Sequence, residues 1–232
     1  MNILSALYCE TIKVLRSLVF ALSFVLFAVS LAIMLFGIEE RTWAAFFNGF
    51  STLGGNMGLL VFFFIASWVF GREFIDKTNK DLVAKPMSRT TVVLSKFVII
   101  FLWCILFMLF LLLFSLAIGF LLGFTGFAIT LLSEALPMFF ITGLLYIIIC
   151  PSGAFFASIS KGILAPIGVL FLLAVAANVL GNSWVAVYFP WTIPNIFRET
   201  GSLNPASIVI LISTGIAGII GTFAWWRFAD QE

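Results

Sequence analysis

Six stretches of about twenty residues or more run through this chain without an Asp, Glu, Lys or Arg in their interiors. They lie at approximately 18–38, 51–71, 97–123, 135–157, 163–181 and 205–226. A bilayer core of about 30 Å takes roughly 20 helical residues to cross, so each stretch is long enough to span it. Only 9% of the 232 residues are charged and 63% are hydrophobic, against about 25% charged in a soluble domain. With so few charges an ordinary water-facing surface cannot be covered, and lipid is the natural neighbour. The expected fold is all-α: a polytopic membrane protein with six transmembrane helices, forming a single transmembrane domain over residues 1–232. Pro151 and Pro166 should kink the fourth and fifth spans where neighbouring helices satisfy the freed carbonyls.

Orientation follows from the cations. With the N-terminus inside, the inner segments hold Lys13, Arg16, Arg72, Lys77, Lys80, Lys85, Arg89, Lys96, Lys161 and Arg227, and the outer ones only Arg41 and Arg198. Ten against two fixes both termini on the cytoplasmic side. Trp43, Trp184 and Trp191 would then form an outer aromatic belt, and Trp68, Trp225 and Trp226 an inner one. Residues 1–12 lack a basic start followed by a short apolar stretch, so no cleaved signal peptide is expected.

Residues 1–17 read as an interfacial amphipathic helix. Ile3, Leu4, Leu7, Tyr8, Ile12, Val14 and Leu15 fall on one side, and Asn2, Glu10, Lys13, Arg16 and Ser17 on the other. The segment at 72–96 carries six basic and three acidic residues, the densest charge cluster in the chain. A positive-inside loop accounts for its basic excess but not for its interleaved acids. Residues 74–85 can form a short helix with Phe74, Ile75, Thr78 and Leu82 along one face, stopped by Pro86.

This loop resembles that of the permease subunits of type-2 ABC exporters, in the group that exports drugs and peptide antibiotics. Those proteins have six spans, an N-terminal interfacial helix and, after the second span, a loop of the form Glu…Gly-Thr…Leu…Pro-(x)-Ser-Arg…Lys. Glu73, Thr78, Leu82, Pro86, Ser88, Arg89 and Lys96 occur here in matching order, with Lys77 in place of the glycine. The resemblance implies that 72–96 is a cytoplasmic coupling loop resting on a separate ATPase subunit. Its contact residues would be Glu73, Asp76, Lys77, Thr78, Lys80, Leu82, Pro86, Ser88 and Arg89, with Lys13 and Arg16 beside them. It implies two copies of the ATPase, which would carry ATP and Mg, and a second copy of this permease or a homologous one. It also implies a multi-pass protein of a prokaryotic cell membrane.

Residues 182–204 lie outside in this topology but are too apolar for a solvated loop. Pro190 and Pro194 divide them into short pieces, which suits a re-entrant or interfacial hairpin. Trp184, Tyr188, Trp191 and Phe197 would either gate the outer mouth of a route or simply anchor the outer ends. Gly54 and Gly58, and Ala217 and Gly221, follow small-xxx-small spacing and are expected to pack helices, within the subunit or across a dimer. Asn56 and Asn178 are the strongly polar residues at depth, and interhelical hydrogen bonding is their expected role.

The energy source is constrained independently of the resemblance. Ion-driven transporters place ionisable groups inside the membrane, and none lies within these spans. No GxxxxGK[ST] phosphate loop occurs, so energy for active transport must come from a partner chain. Histidine is absent, and Cys9, Cys104 and Cys150 are isolated. Neither a metal cluster nor a nucleophile with its base is therefore expected, and the chain itself should need no cofactor and catalyse no reaction. A net charge of +2 gives no footprint for nucleic acid. The Phe- and Leu-rich spans suit amphipathic or lipid-like cargo, and peptide antibiotics are the cargo of many short relatives of this group. Two other readings stand beside this one: the substrate-binding membrane subunit of a vitamin importer, and an immunity protein that sequesters a toxic peptide without moving it.

Overall fold

The computed structural model describes residues 3–76 and 88–228. The described chain is helical, apart from one isolated bridge between Thr42 and Thr125. The helices are α1 (Ile3–Leu15), α2 (Leu18–Phe36), α3 (Trp43–Ile75), α4 (Arg89–Leu121), α5 (Ile129–Ile149), α6 (Pro151–Ile159), α7 (Leu164–Leu180), α8 (Ile193–Thr200) and α9 (Pro205–Phe228). A short 3-10 turn, Trp184–Tyr188, precedes α8. Among the described residues, four runs are long and apolar enough to cross a membrane: Trp43–Ile75, Arg89–Leu121, Ile129–Ile159 and Pro205–Phe228. Ala21–Phe36 and Leu164–Leu180 are shorter apolar helices.

α3 and α4 are each 33 residues long, about 50 Å of helix, so both outrun a bilayer core. Both begin eight residues before the apolar stretches read from sequence, because capping rather than hydropathy sets their starts. The Thr42 hydroxyl accepts from Ala45 N (3.3 Å) and that of Ser88 from Thr91 N (3.1 Å), each satisfying an amide that the first helical turn leaves free.

α3 is the central strut, with α2, α4, α5, α6, α7 and α8 around it. Its closest neighbour is α6, because Gly153 lacks a side chain where one would meet Phe63 O at 2.7 Å. On the other side of α5 and α6, Gly215 and Gly218 of α9 press against Ile148 and against Pro151–Ser152. Small residues thus let three helices stack at close range, where dispersion replaces the hydrophobic drive that lipid removes. Fully buried aromatic side chains, among them Phe46, Phe62, Phe70 and Phe107, fill the larger gaps.

The two prolines behave differently. At Pro151 the fourth span breaks into α5 and α6, while Pro166 falls in the first turn of α7. There a missing N–H interrupts no helical bond, so the expected kink does not arise. The aromatic belts also need correction. Trp43 is fully buried among Phe46, Phe47, Phe120, Phe124 and Phe127. Trp226 is buried as well, and its indole N–H donates to Ser158 Oγ at 3.0 Å. Both are core residues, held by the aromatic density of their neighbours rather than by an interface.

Candidate coupling site

α1 is amphipathic, but its charged side turns inward. Ala6, Glu10 and Val14, spaced four apart, are buried, while Tyr8 and Leu15 are exposed. The assignment of Glu10 to an outer polar face is reversed because α1 packs against α4, which presents a buried lysine. Lys96 has no exposed surface, Glu73 is 1% exposed and Glu10 is 5% exposed.

These groups form an ionic junction across three helices. Lys96 Nζ lies 2.6 Å from Glu73 Oε1, 3.0 Å from Glu10 Oε2 and 3.3 Å from the carbonyl of Val69. Lys13 Nζ lies 2.8 Å from Glu73 Oε1 and 2.9 Å from Glu10 Oε1. Two ammonium groups and two carboxylates balance each other, and each buried charge is hydrogen-bonded, which an apolar setting demands. Burial works against the Lys13 ammonium. Glu10 and Glu73 outweigh it and hold its pKa above the ordinary lysine value. Arg72 adds a further tie between α3 and α1, donating from Nη1 to Lys13 O at 2.9 Å while its guanidinium lies 5.0 Å from the Trp68 ring centre.

The junction sits where α3 ends and the charged segment begins. Arg72 Nε pairs with Asp76 Oδ2 at 2.8 Å. On the far side of that segment, Ser88 caps α4 and Arg89 donates from Nη1 to the carbonyls of Trp226 and Arg227, both at 3.3 Å. Those carbonyls belong to the last turn of α9, where the helix leaves them without partners and cations are favoured. Both flanks of the segment are thereby fastened, one to α1 and the other to α9. Force applied there would reach four helices through ionic and hydrogen bonds.

The residues expected to touch a partner are distributed unevenly. Arg16, Asp76 and Ser88 are exposed, and Lys13 and Arg89 are half-buried within the bonds just described. Glu73 is buried beneath them, inside the junction rather than on the surface. Lys77, Thr78, Lys80, Leu82 and Pro86 lie outside the described residues, as does most of the helix expected at 74–85. Glu10 and Lys96 were not singled out as site residues. The signal that could have found them is an acid in the middle of α1 and, on α4, a lysine two turns in from the helix start and next to the apolar run, with opposite signs.

At the opposite end, Pro190 and Pro194 do divide the 182–204 segment. Trp184 is 81% exposed and Tyr188 is exposed, whereas Trp191 and Phe197 are half-buried. Gly54 faces the Phe139 ring, Gly58 the Tyr146 ring and Gly221 the Phe155 ring. These glycines pack helices inside the subunit. Ala217 is exposed on α9. Asn178 donates within its own helix to Ala174 O (2.8 Å) rather than across helices. Asn48, Thr52 and Asn56, spaced four apart on α3, are exposed beside α2 along a cleft of about 580 Å³. Among the described residues no cluster of His, Cys, Asp or Glu could hold a metal ion.

The family model described as ABC-2 family transporter protein matches residues 6–177. The chain is also similar to the bacitracin transport permease protein of Bacillus licheniformis, with 22% identity over 179 residues, covering 75% of this chain and 86% of that protein. No solved structure matches the chain.

Proposed function

The chain belongs to the ABC-2 family of transporter proteins, and from that premise we propose that it is the membrane subunit of an ATP-driven exporter of amphipathic cargo. It is a multi-pass protein of the cell membrane. Its family supplies permease subunits that work with an ABC ATPase. The finer reading is that six helices cross the bilayer with both termini inside, the cation bias of ten to two placing the junction and the charged segment on the cytoplasmic side. ATP and Mg would then be bound and used by the partner. The resemblance to the bacitracin permease supports a peptide antibiotic as cargo.

The observation that carries the coupling reading is the ionic junction of Glu10, Lys13, Glu73 and Lys96. An ATPase seated on residues 77–87 would move α1, α3 and α4 together, since parting them exposes unpaired buried charge. The outer mouth would answer through α3, which runs from Glu73 to the neighbourhood of α8. In this reading Trp184, Tyr188, Trp191 and Phe197 close that mouth. The exposed stripe of Asn48, Thr52 and Asn56 is poorly suited to lipid, which supports a route between two copies along this face.

The test is to purify the chain in mild detergent from the cells that naturally make it and to look for a co-purifying ABC ATPase. An ATP-hydrolysing complex of the two is expected. Elution of the chain free of ATPase under conditions that preserve its fold would overturn the reading.

A further inference from the structure

Away from the junction, α8 is a short element with Pro194 in its first turn and Gly201 at its end, where φ is +69°. Glycine takes that left-handed turn without strain. α8 rests on α5 and on α3. Ile193 has no exposed surface and Pro194 is buried, so close packing of its apolar side holds the helix down. Its seat on α3 is Gly55. A Cβ at that position would collide with Asn195 Oδ1 and lie 3.1 Å from Arg198 Nε, so the missing side chain is what admits α8.

Beside that seat Arg198 crosses to α3, with its side chain 14% exposed. Nη1 donates to Thr52 Oγ1 at 2.9 Å and Nη2 to Glu199 Oε1 at 2.7 Å. Thr52 gives its own proton to Asn48 O at 3.1 Å, which leaves its oxygen lone pairs to the guanidinium. The rest of the polar side is poorly served. Arg198 Nε and Asn195 Oδ1 are buried with no hydrogen-bond partner among the described residues, a cost that ends once α8 lifts and water reaches them. Apolar packing and one charge-assisted bond hold α8 down, while two stranded polar atoms favour its release. A helix balanced in this way is poised between two positions.

We propose that Arg198 is the latch of the outer segment: its bond to Thr52, made across the Gly55 seat, holds α8 closed over the space between α3 and α5, and its release lets α8 lift. Thr142 of α5 borders that space with Gly54, Gly55, Gly58 and Arg198 itself, and Thr142 is 4% exposed. Thr52 also belongs to the exposed stripe of Asn48, Thr52 and Asn56. The latch therefore grips the face of α3 along which the route is drawn. Arg198 acts here as a positioning residue, through Thr52, and contacts no cargo. This assignment rests on the reading of the outer segment as a gate and adds the pair of residues that keeps it shut.

The test is the rate at which a water-soluble maleimide reaches Thr142→Cys in the purified full chain in nanodiscs, without ATPase. Mass spectrometry identifies which cysteine is labelled. Labelling should be slow with the latch intact. Thr52→Val, which keeps the shape at an exposed position, should speed it about tenfold, the worth of one hydrogen bond to a charged group. Thr52→Ser keeps the hydroxyl and should leave the rate slow. Gly55→Ala should also speed labelling, and adding Asn195→Ala, which removes the colliding atom, should restore part of the slow rate. Cys104 and Cys150, buried in the core, should stay unlabelled throughout, which separates release of α8 from general loosening. Equal labelling of Thr142→Cys with and without Thr52→Val, or a matching rise at Cys104, would overturn the latch. Faster labelling in Thr52→Val with unaltered ATP-driven transport would uphold the latch and overturn the gate reading, so the two fail separately.

Discussion

Lys96 Nζ stands 2.6 Å from Glu73 Oε1, joining the loop end of α3 to a lysine on α4 that no solvent reaches. The pair is completed from a third helix by Glu10 and Lys13, so the contact is a four-charge joint rather than a surface salt bridge. Exposed pairs contribute little. A buried one behaves differently, because removing one member strands the others in a medium that cannot solvate them.

Lys96→Met should therefore destabilise the chain by about 3–5 kcal/mol, read as a lowered unfolding midpoint in detergent. It leaves two carboxylates to share Lys13. Adding Glu73→Leu should recover part of the loss, since the remaining Glu10 and Lys13 still balance. Additive losses in the double variant would show that the two side chains do not interact.

Lys13 predicts a pH dependence. Its pKa is raised in the folded chain, so its pairing contributes fully below the ordinary lysine value of about 10.4. That contribution is lost as pH climbs through the raised value. The stability gap between wild type and Lys13→Met should stay level through neutral pH and close only in strong alkali. A gap that closes near pH 6 would assign the effect to another group.

Arg89→Ala should leave the chain inserted and folded, at a cost of about 1 kcal/mol for long, half-buried hydrogen bonds. Transport-linked ATP hydrolysis should fall sharply, because the loop flank loses its tie to α9. Arg89→Lys should restore only part of it, since an ammonium cannot reproduce the guanidinium fork. Wild-type coupling in Arg89→Ala would remove that tie from the account.

Two glycines separate packing from propensity. Gly153→Ala would place a Cβ 2.7 Å from Phe63 O, whereas one at Gly168 meets nothing within 4 Å. The first substitution should destabilise by about 1–3 kcal/mol. The second should be neutral or stabilise slightly, as Gly-to-Ala changes in open helix do. Comparable unfolding midpoints for the two variants would contradict the close approach of α6 to α3.

Hydropathy made the apolar helices legible, since a run such as 97–123 without charge has few alternatives. The loop signature likewise led to the family that matches residues 6–177. What stayed hidden depends on partners distant in sequence. Glu10 and Lys96 are 86 residues apart, and a wheel of α1 alone cannot tell which face meets a buried lysine. Trp43 reads as a belt residue until Phe120, Phe124 and Phe127 return to enclose it. The small-residue spacing at Gly54 and Gly58 announced a close contact but not its partner, which is α5 within the same subunit.

The central claim is that this chain passes amphipathic cargo across the membrane at the expense of ATP used by a partner. The most direct measurement is uptake of fluorescent bacitracin into everted membrane vesicles from cells making the chain with its ATPase. The account predicts accumulation that requires ATP hydrolysis, disappears without this chain and survives collapse of the proton and sodium gradients. Accumulation that persists without ATP hydrolysis, or that is the same in vesicles lacking the chain, would contradict it.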